Sequence, residues 1–437
     1  MKKIFLLLIT LAMMNGLVYS QGKSKESCVT DKCHVSTSSV KFIHGPFAVK
    51  DCQTCHQLVP NEKHKFIEIK NSSEICSNCH EPLEMKRVIH GPLQKGNCVA
   101  CHNPHGSNQQ FFLRKGKLSE LCLSCHKINP DKKNGHPPVM DGDCTICHQP
   151  HTSDNEKLLV QNGNKLCFTC HSDLESEFAD AKVIHKPAAE KCLSCHDVHG
   201  SDNEFMLAKE IQAQCFTCHD NIKQQVTNAI GKHKAVEEDK KCANCHSPHL
   251  SQMPKLLNQE PMSLCLSCHD NKLTSKNPSI TNMKNLFEIN KNWHGPIREK
   301  DCSGCHNPHG GKTDFRLLRW VYPREFYSSF STEQYELCFK CHQPTLVLEP
   351  KTTTLTGFRN GDQNLHFLHV NKKVKGRTCR TCHETHASQK ERHIRESVPF
   401  GKWELPIYFE KTSDGGKCSP GCHATKEYKR SDITTRQ

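Results

Sequence analysis

The chain has 437 residues, of which 35% are hydrophobic and 6% aromatic. That composition leaves too little apolar side chain to bury a large core over such a length, so apolar mass must come from elsewhere. The formal charge of +13 is interspersed along the chain and not gathered in a run, which argues against a nucleic-acid partner.

In chain order, Lys2 and Lys3 precede an apolar run from Ile4 to Met14, which ends in Val18-Tyr19-Ser20. This three-part pattern predicts a secretory signal peptide over residues 1–20 and an exported mature chain. No later stretch approaches the ~20 apolar residues that span a bilayer, so no transmembrane segment is predicted. Cys28 follows the predicted cleavage point but belongs to a longer motif, so no lipid anchor is predicted.

Thirty cysteines in an exported chain would by default suggest disulfides. The residue after every second cysteine argues otherwise, because it is always histidine. Thirteen copies read Cys-x-x-Cys-His: Cys52 and Cys55 with His56, Cys76 and Cys79 with His80, Cys98 and Cys101 with His102, Cys122 and Cys125 with His126, Cys144 and Cys147 with His148. They continue with Cys167 and Cys170 before His171, Cys192 and Cys195 before His196, Cys215 and Cys218 before His219, Cys242 and Cys245 before His246, Cys265 and Cys268 before His269. Cys302 and Cys305 before His306, Cys338 and Cys341 before His342, and Cys379 and Cys382 before His383 complete the regular set. Two copies are stretched: Cys28 and Cys33 before His34, and Cys418 and Cys422 before His423. The fifteen motifs use every cysteine.

Two thiols three positions apart can reach two vinyl groups on one edge of a porphyrin, while the next side chain comes under the iron. Zinc knuckles share the Cys-x-x-Cys half but do not require the histidine. The spacing therefore predicts about fifteen covalently attached haem c groups. Each haem would carry roughly one negative charge when ferric and two when ferrous, so the lysines are expected to offset propionates and reduction charge.

Sixteen histidines remain outside the motifs. His105, His151, His199, His249, His309 and His386 each fall three residues after a motif histidine. Positions three apart share a helical face, so each lies on the proximal side of its own haem and is predicted to serve a neighbouring one. His44, His90, His136, His185, His233 and His294 precede motifs, often as His-Gly-Pro or His-Lys-Pro, and are predicted to reach a haem from an extended turn. His64 replaces the plus-three histidine of its unit, and His366, His369 and His393 compete for the last places, with one to spare.

First-motif cysteines at Cys52, Cys98, Cys144, Cys192, Cys242, Cys302 and Cys379 define a repeat that lengthens toward the C-terminus. The organisation reads as a lone N-terminal haem segment over 21–43, five tandem two-haem repeats over 44–290, and two longer units with insertions and a C-terminal cap over 291–437. Ile75, Leu121, Leu166, Leu264 and Leu337 precede second motifs, whose helices are predicted to turn an apolar face inward, while the first motifs sit at turns. About 28 residues per haem are too few for a side-chain core. The predicted fold class is therefore a multihaem cytochrome c: short α-helices and long loops wrapped around a haem chain, with little β-structure. The aromatic segment 315–335 is expected to form a packing cap, and Trp403-Glu-Leu-Pro-Ile-Tyr-Phe a short strand.

The unit His, Cys-x-x-Cys-His-x-x-His-Gly, Leu-Cys-x-x-Cys-His over residues 44–423 resembles the doubled CXXCH multihaem cytochromes, which include periplasmic carriers and porin-embedded conduits. That resemblance implies haem on the motif cysteines and a distal-ligand role for the plus-three histidine. This chain departs from the pattern after His56, in the two stretched motifs and in the length of its last two units.

Iron held by two imidazoles has no open position and changes charge with little rearrangement. The expected function is electron transfer, without enzymatic activity, between inner-membrane donors and acceptors in the periplasm, at the outer membrane or outside the cell. Redox proteins, an outer-membrane porin and other multihaem cytochromes are the expected partners. One rival is a multihaem reductase with one five-coordinate catalytic haem; such enzymes often mark it with Cys-x-x-Cys-Lys, which this sequence does not contain. A subunit of an extracellular cytochrome filament is the other.

Overall fold

The computed structural model describes residue 28 and residues 39–62, 64–129, 131–270, 280–314 and 316–432. The predicted signal peptide, Cys33 and His34 lie outside the described residues. Among those described, no helix exceeds nine residues and no strand exceeds four. The architecture is one of short helices, small sheets and loops, and no helix is long and apolar enough to cross a membrane.

Each repeat is built from the same local pieces. The first motif is a single 3-10 turn, as at Cys52–Thr54, Cys98–Ala100, Cys144–Ile146 and Cys192–Ser194. The second motif ends a short α-helix, as at Ser72–Cys76, Leu118–Leu123, Ile211–Phe216 and Pro261–Leu266. Acceptor side chains start several of these helices: Asn71 accepts from the Ser73 amide at 3.1 Å and Glu260 from the Ser263 amide at 3.0 Å. Ile75, Leu121, Leu166, Leu264 and Leu337 are only half-buried, since little side-chain core lies beneath them.

The upstream histidines begin helical turns, where the sequence suggested extended ones. His44, His90, His185 and His294 cap the helices Gly45–Ala48, Gly91–Gln94, Lys186–Glu190 and Gly295–Arg298, each with proline in its first two positions. Proline fits there because it lacks only an N–H that the first helical turn leaves unpaired anyway.

Neighbouring repeats are stitched by two-residue antiparallel strands. Phe42–Ile43 pairs with Gly106–Ser107, Val88–Ile89 with Thr152–Ser153, Val183–Ile184 with Leu250–Ser251, and Asn292–Trp293 with Ala387–Ser388. In each case the strand before an upstream histidine meets the strand after the plus-three histidine of the next repeat. By contact the chain divides into two compact units, Met1–Pro130 with Pro137–Asn162, and Asp131–His136 with Gly163–Gln437. The division drawn from sequence at residue 290 follows repeat length; the compact units follow this exchange of strands between repeats, and the two divisions do not coincide.

Among the described residues, no hydrophobic side chain before Val226 is buried. Side-chain cores exist only further on: Met262, Phe287, Ile297 and Ala387 form one, and Leu318, Tyr322, Tyr335, Val347 and Val370 another. The second holds two tyrosines of the aromatic insertion, Tyr335 being fully buried. Trp403–Pro406 forms a hairpin with Ser397–Phe400, and Phe409–Lys411, Gly415–Cys418 and Lys426–Lys429 make a three-stranded sheet. The last motif thus leaves a strand and not a helix, because Pro420 and Gly421 between its cysteines disfavour helical geometry.

Candidate haem-binding sites

The motif histidines meet second imidazoles, stacked in most pairs and tilted by 31–45° in three. Second-motif histidines pair with the upstream histidine of their own repeat: His80 with His44 at 5.9 Å between ring centroids, His126 with His90 at 6.0 Å, His171 with His136 at 6.4 Å, His219 with His185 at 6.2 Å, His269 with His233 at 6.4 Å, and His342 with His294 at 6.1 Å. First-motif histidines pair with the plus-three histidine of the following repeat: His56 with His105 at 5.9 Å, His102 with His151 at 6.1 Å, His196 with His249 at 6.0 Å, His246 with His309 at 6.2 Å, and His306 with His386 at 6.1 Å.

The seventh unit draws its partners from one inserted helix, Leu365–Val370. His366 faces His383 at 6.3 Å, and among the charged groups His423 acts most strongly on His369. His393 faces no motif histidine in this manner. His64, exposed at the tip of the segment bridged by Leu58 and Phe66, faces no described histidine.

Backbone carbonyls fix which nitrogen is free. Upstream imidazoles place Nδ1 on the carbonyl before the plus-three histidine: His44 on Pro104 at 2.8 Å, His90 on Pro150 at 2.9 Å, His185 on Pro248 at 2.8 Å and His233 on Pro308 at 2.8 Å. First-motif imidazoles place Nδ1 on a loop carbonyl: His102 on Phe111 at 2.7 Å, His148 on Lys157 at 2.9 Å, His196 on Phe205 at 2.9 Å, His246 on Lys255 at 2.9 Å, His306 on Arg316 at 2.7 Å and His383 on Arg392 at 2.8 Å. Such a bond fixes the ring and leaves Nε2 to face across the gap, the arrangement metal-binding histidines use.

These loop residues carry function that the motif pattern does not reveal. Phe111, Lys157, Phe205, Lys255 and Arg392 hold φ of 56–59°, a left-handed conformation that costs a non-glycine residue on the order of 1 kcal/mol or more. Serine side chains close the loops, Ser153 Oγ donating to the Leu159 carbonyl at 2.6 Å and Ser388 Oγ to that of Ile394 at 2.7 Å. The signal in sequence was a leucine or isoleucine eleven residues after the motif histidine, as at Leu113, Leu159, Leu207, Leu257 and Ile394.

The cysteines form no disulfide among the described residues. Within each compact unit, consecutive motifs instead meet through their thiols. First cysteines contact first cysteines, as in Cys28 with Cys52, Cys76 with Cys98, Cys122 with Cys144, Cys167 with Cys192, Cys265 with Cys302 and Cys338 with Cys379. Second cysteines neighbour second cysteines, as in Cys55 with Cys79, Cys101 with Cys125, Cys245 with Cys268, Cys305 with Cys341 and Cys382 with Cys422. Burial, then Cys144, pushes Cys122 up to about 11. Burial, then Cys418 and Cys422, pushes Cys382 up to about 12.

The donor set fits haem. Two metal–nitrogen bonds of about 2 Å plus two ring radii give roughly the 6 Å separation seen here. Among the described residues no three His, Cys, Asp or Glu side chains converge as a tetrahedral zinc site requires. Burial, followed by His383 and His369, brings His366 down to about 4, and burial, followed by His306 and His294, does the same for His386. Both are therefore neutral at pH 7 and able to ligate. His366 also has a buried Nδ1 with no hydrogen-bond partner.

The family model for the doubled CXXCH motif matches residues 44–85, 90–130, 136–176, 185–224, 233–274 and 294–346. The chain belongs to the doubled CXXCH family. As a doubled CXXCH protein it is a multihaem c-type cytochrome, with haem c held covalently by the paired motifs. The six matches are the first six repeats; the seventh, with its inserted helix and stretched last motif, lies beyond them. A search of curated proteins gave no match.

Proposed function

We propose that this doubled CXXCH protein is an exported electron carrier of fifteen haems, each held between two imidazoles, working between inner-membrane donors and acceptors at or beyond the outer membrane. Haem c, when bound, supplies reversible one-electron chemistry. The facing imidazole pairs at 5.9–6.4 Å carry the reading, since a motif histidine opposed by a second imidazole leaves no position for a substrate. The protein is accordingly a carrier and not an enzyme.

The chain's own residues set order and environment. Thiol contacts between consecutive motifs put consecutive attachment points side by side, so within each compact unit the cofactors would follow one another in sequence order. Nδ1 bonds to backbone carbonyls hold the imidazoles without a side chain that must move, which keeps rearrangement on reduction small. Once the other ligands are placed, His64 and His393 are left for the fifteenth haem, and His64 is the one assigned to it because His393 packs edge-on against His294.

The test is the ferric spin state together with the mass of the purified holoprotein. Fifteen added haems and an entirely low-spin electron paramagnetic resonance spectrum are expected. A stoichiometric high-spin signal in the wild type would sink the carrier reading in favour of a catalytic haem.

A further inference from the structure

We propose that the C-terminal end of the chain is a docking face for an acidic redox protein, which exchanges electrons with the site built on Cys418, Cys422 and His423. The inference rests on the electron-carrier reading above. The site is joined to the file of thiol contacts through Cys382, which Cys418 and Cys422 neighbour.

The rim of that site is positive. Lys426 stands directly across the sheet from Cys418. On the other side, Lys372 and Arg377 are, after His423, the charged neighbours of His369. Lys372, Lys373, Lys375 and Lys426 are exposed, and none is in an ion pair. Glu427, next to Lys426 in the strand, pairs with Lys429 at 3.9 Å. Apolar contact area is present as well: Trp403 is 69% exposed, Tyr408 63% and Val374 72%. Tyr408 and Pro406 are fixed to the motif itself, their carbonyls accepting from the Ser419 amide at 3.3 Å and the Gly421 amide at 3.0 Å.

The charge balance selects the partner. Residues 351–437 hold 17 Lys and Arg against nine Asp and Glu, a net +8 out of +13 for the chain. Two haems in this segment would remove only roughly two of those charges, whereas the haems of the remaining segment would more than cancel its smaller excess. Once loaded, the C-terminal segment is the positive one, and an exposed positive rim steers acidic proteins to it.

The test uses the holoprotein and reduced plant-type ferredoxin, an acidic iron–sulfur protein, as the probe, in stopped-flow at low salt. One variant carries Lys372→Glu, Lys373→Glu, Lys375→Glu and Lys426→Glu; a control carries Lys95→Glu, Lys115→Glu, Lys127→Glu and Lys223→Glu. The first is expected to slow the second-order rate about tenfold or more and to flatten its salt dependence, with the control near wild type. Equal slowing in both, or no slowing in either, overturns the proposal. Carbodiimide cross-linking of ferredoxin to the wild type, free of any folding question, should map to the same four lysines; links concentrated elsewhere overturn it too. Dithionite reduction of the wild type checks the parent reading separately: filling of only a few haems removes the carrier itself, while complete filling with an unchanged ferredoxin rate removes only the docking face.

Discussion

His393 stands edge-on to His294, ring centroids 5.6 Å apart and planes at 86°, in the place where Phe112 stands against His44 at 5.4 Å and 63°. Both residues follow a left-handed loop residue, Arg392 and Phe111. The histidine that ligand counting leaves over thus occupies a packing position that phenylalanine fills in another repeat.

His393→Phe should therefore leave the haem count and the low-spin spectrum unchanged. His366→Ala or His369→Ala should each turn one haem's worth of ferric iron high-spin. Electron paramagnetic resonance on the three variants checks this, and a high-spin signal from His393→Phe would refute the assignment.

His105 faces His56 of the preceding repeat and not the histidine of its own motif. His105→Ala is expected to give one high-spin haem, attached at Cys52 and Cys55. Adding Cys52→Ala and Cys55→Ala should abolish that signal, whereas adding Cys98→Ala and Cys101→Ala should not. The reverse pattern would mean that the plus-three histidine serves its own motif.

Lys157 aims its carbonyl at His148 from φ 58°, a conformation that β-branched residues resist most. Lys157→Val is expected to cost about 1–3 kcal/mol locally. Hydrogen exchange should show it as roughly ten- to hundredfold faster exchange at the Gln149 and Val160 amides, which bond Leu158 at 2.7 Å and Cys147 at 2.9 Å. Lys157→Gly, which tolerates the conformation, should stay near wild type.

Ser153 is 4% exposed, donates to the Leu159 carbonyl at 2.6 Å and accepts from the Asn155 amide at 3.0 Å. Ser153→Ala leaves both groups without that partner and should destabilise the loop by about 1–3 kcal/mol. The same exchange measurement reads it, and unchanged protection at Asn155 would show that the hydroxyl is dispensable.

Chain produced without haem attachment should be unprotected over residues 39–225, where no hydrophobic side chain is buried. Residual protection is expected only further on, around the core of Met262, Phe287 and Ile297 and that of Tyr335, Val347 and Val370. Slow exchange throughout the first half of the haem-free chain would show that side chains alone stabilise it.

Much of this was legible in the residues. Adjacent cysteine and histidine in a fixed motif are local chemistry, and a ligand fixed by its immediate neighbour is readable without a fold. The plus-three and upstream histidines were also legible as sets, because their offsets recur. The sequence reading failed where backbone conformation intervened. The turns after His44 and His90 are helical because proline suits a first helical turn, and the last motif leaves a strand because Pro420 and Gly421 disfavour a helix. The loop carbonyls of Phe111, Lys157 and Phe205 carried no signal in their own residue types, since every residue has a carbonyl and only its direction matters; the recurrent leucine two residues on was the one mark of the loop.

Sequence alone therefore determined the cofactor chemistry, the repeat and the shortage of a side-chain core, all of which follow from residue type and spacing. That a plus-three histidine serves a neighbouring haem was expected from helical spacing; which neighbour it faces, as His105 faces His56 of the preceding repeat, was decided only in three dimensions. The reason is that partners such as His56 and His105 are joined through antiparallel strand pairing between repeats, a long-range contact that no local spacing encodes.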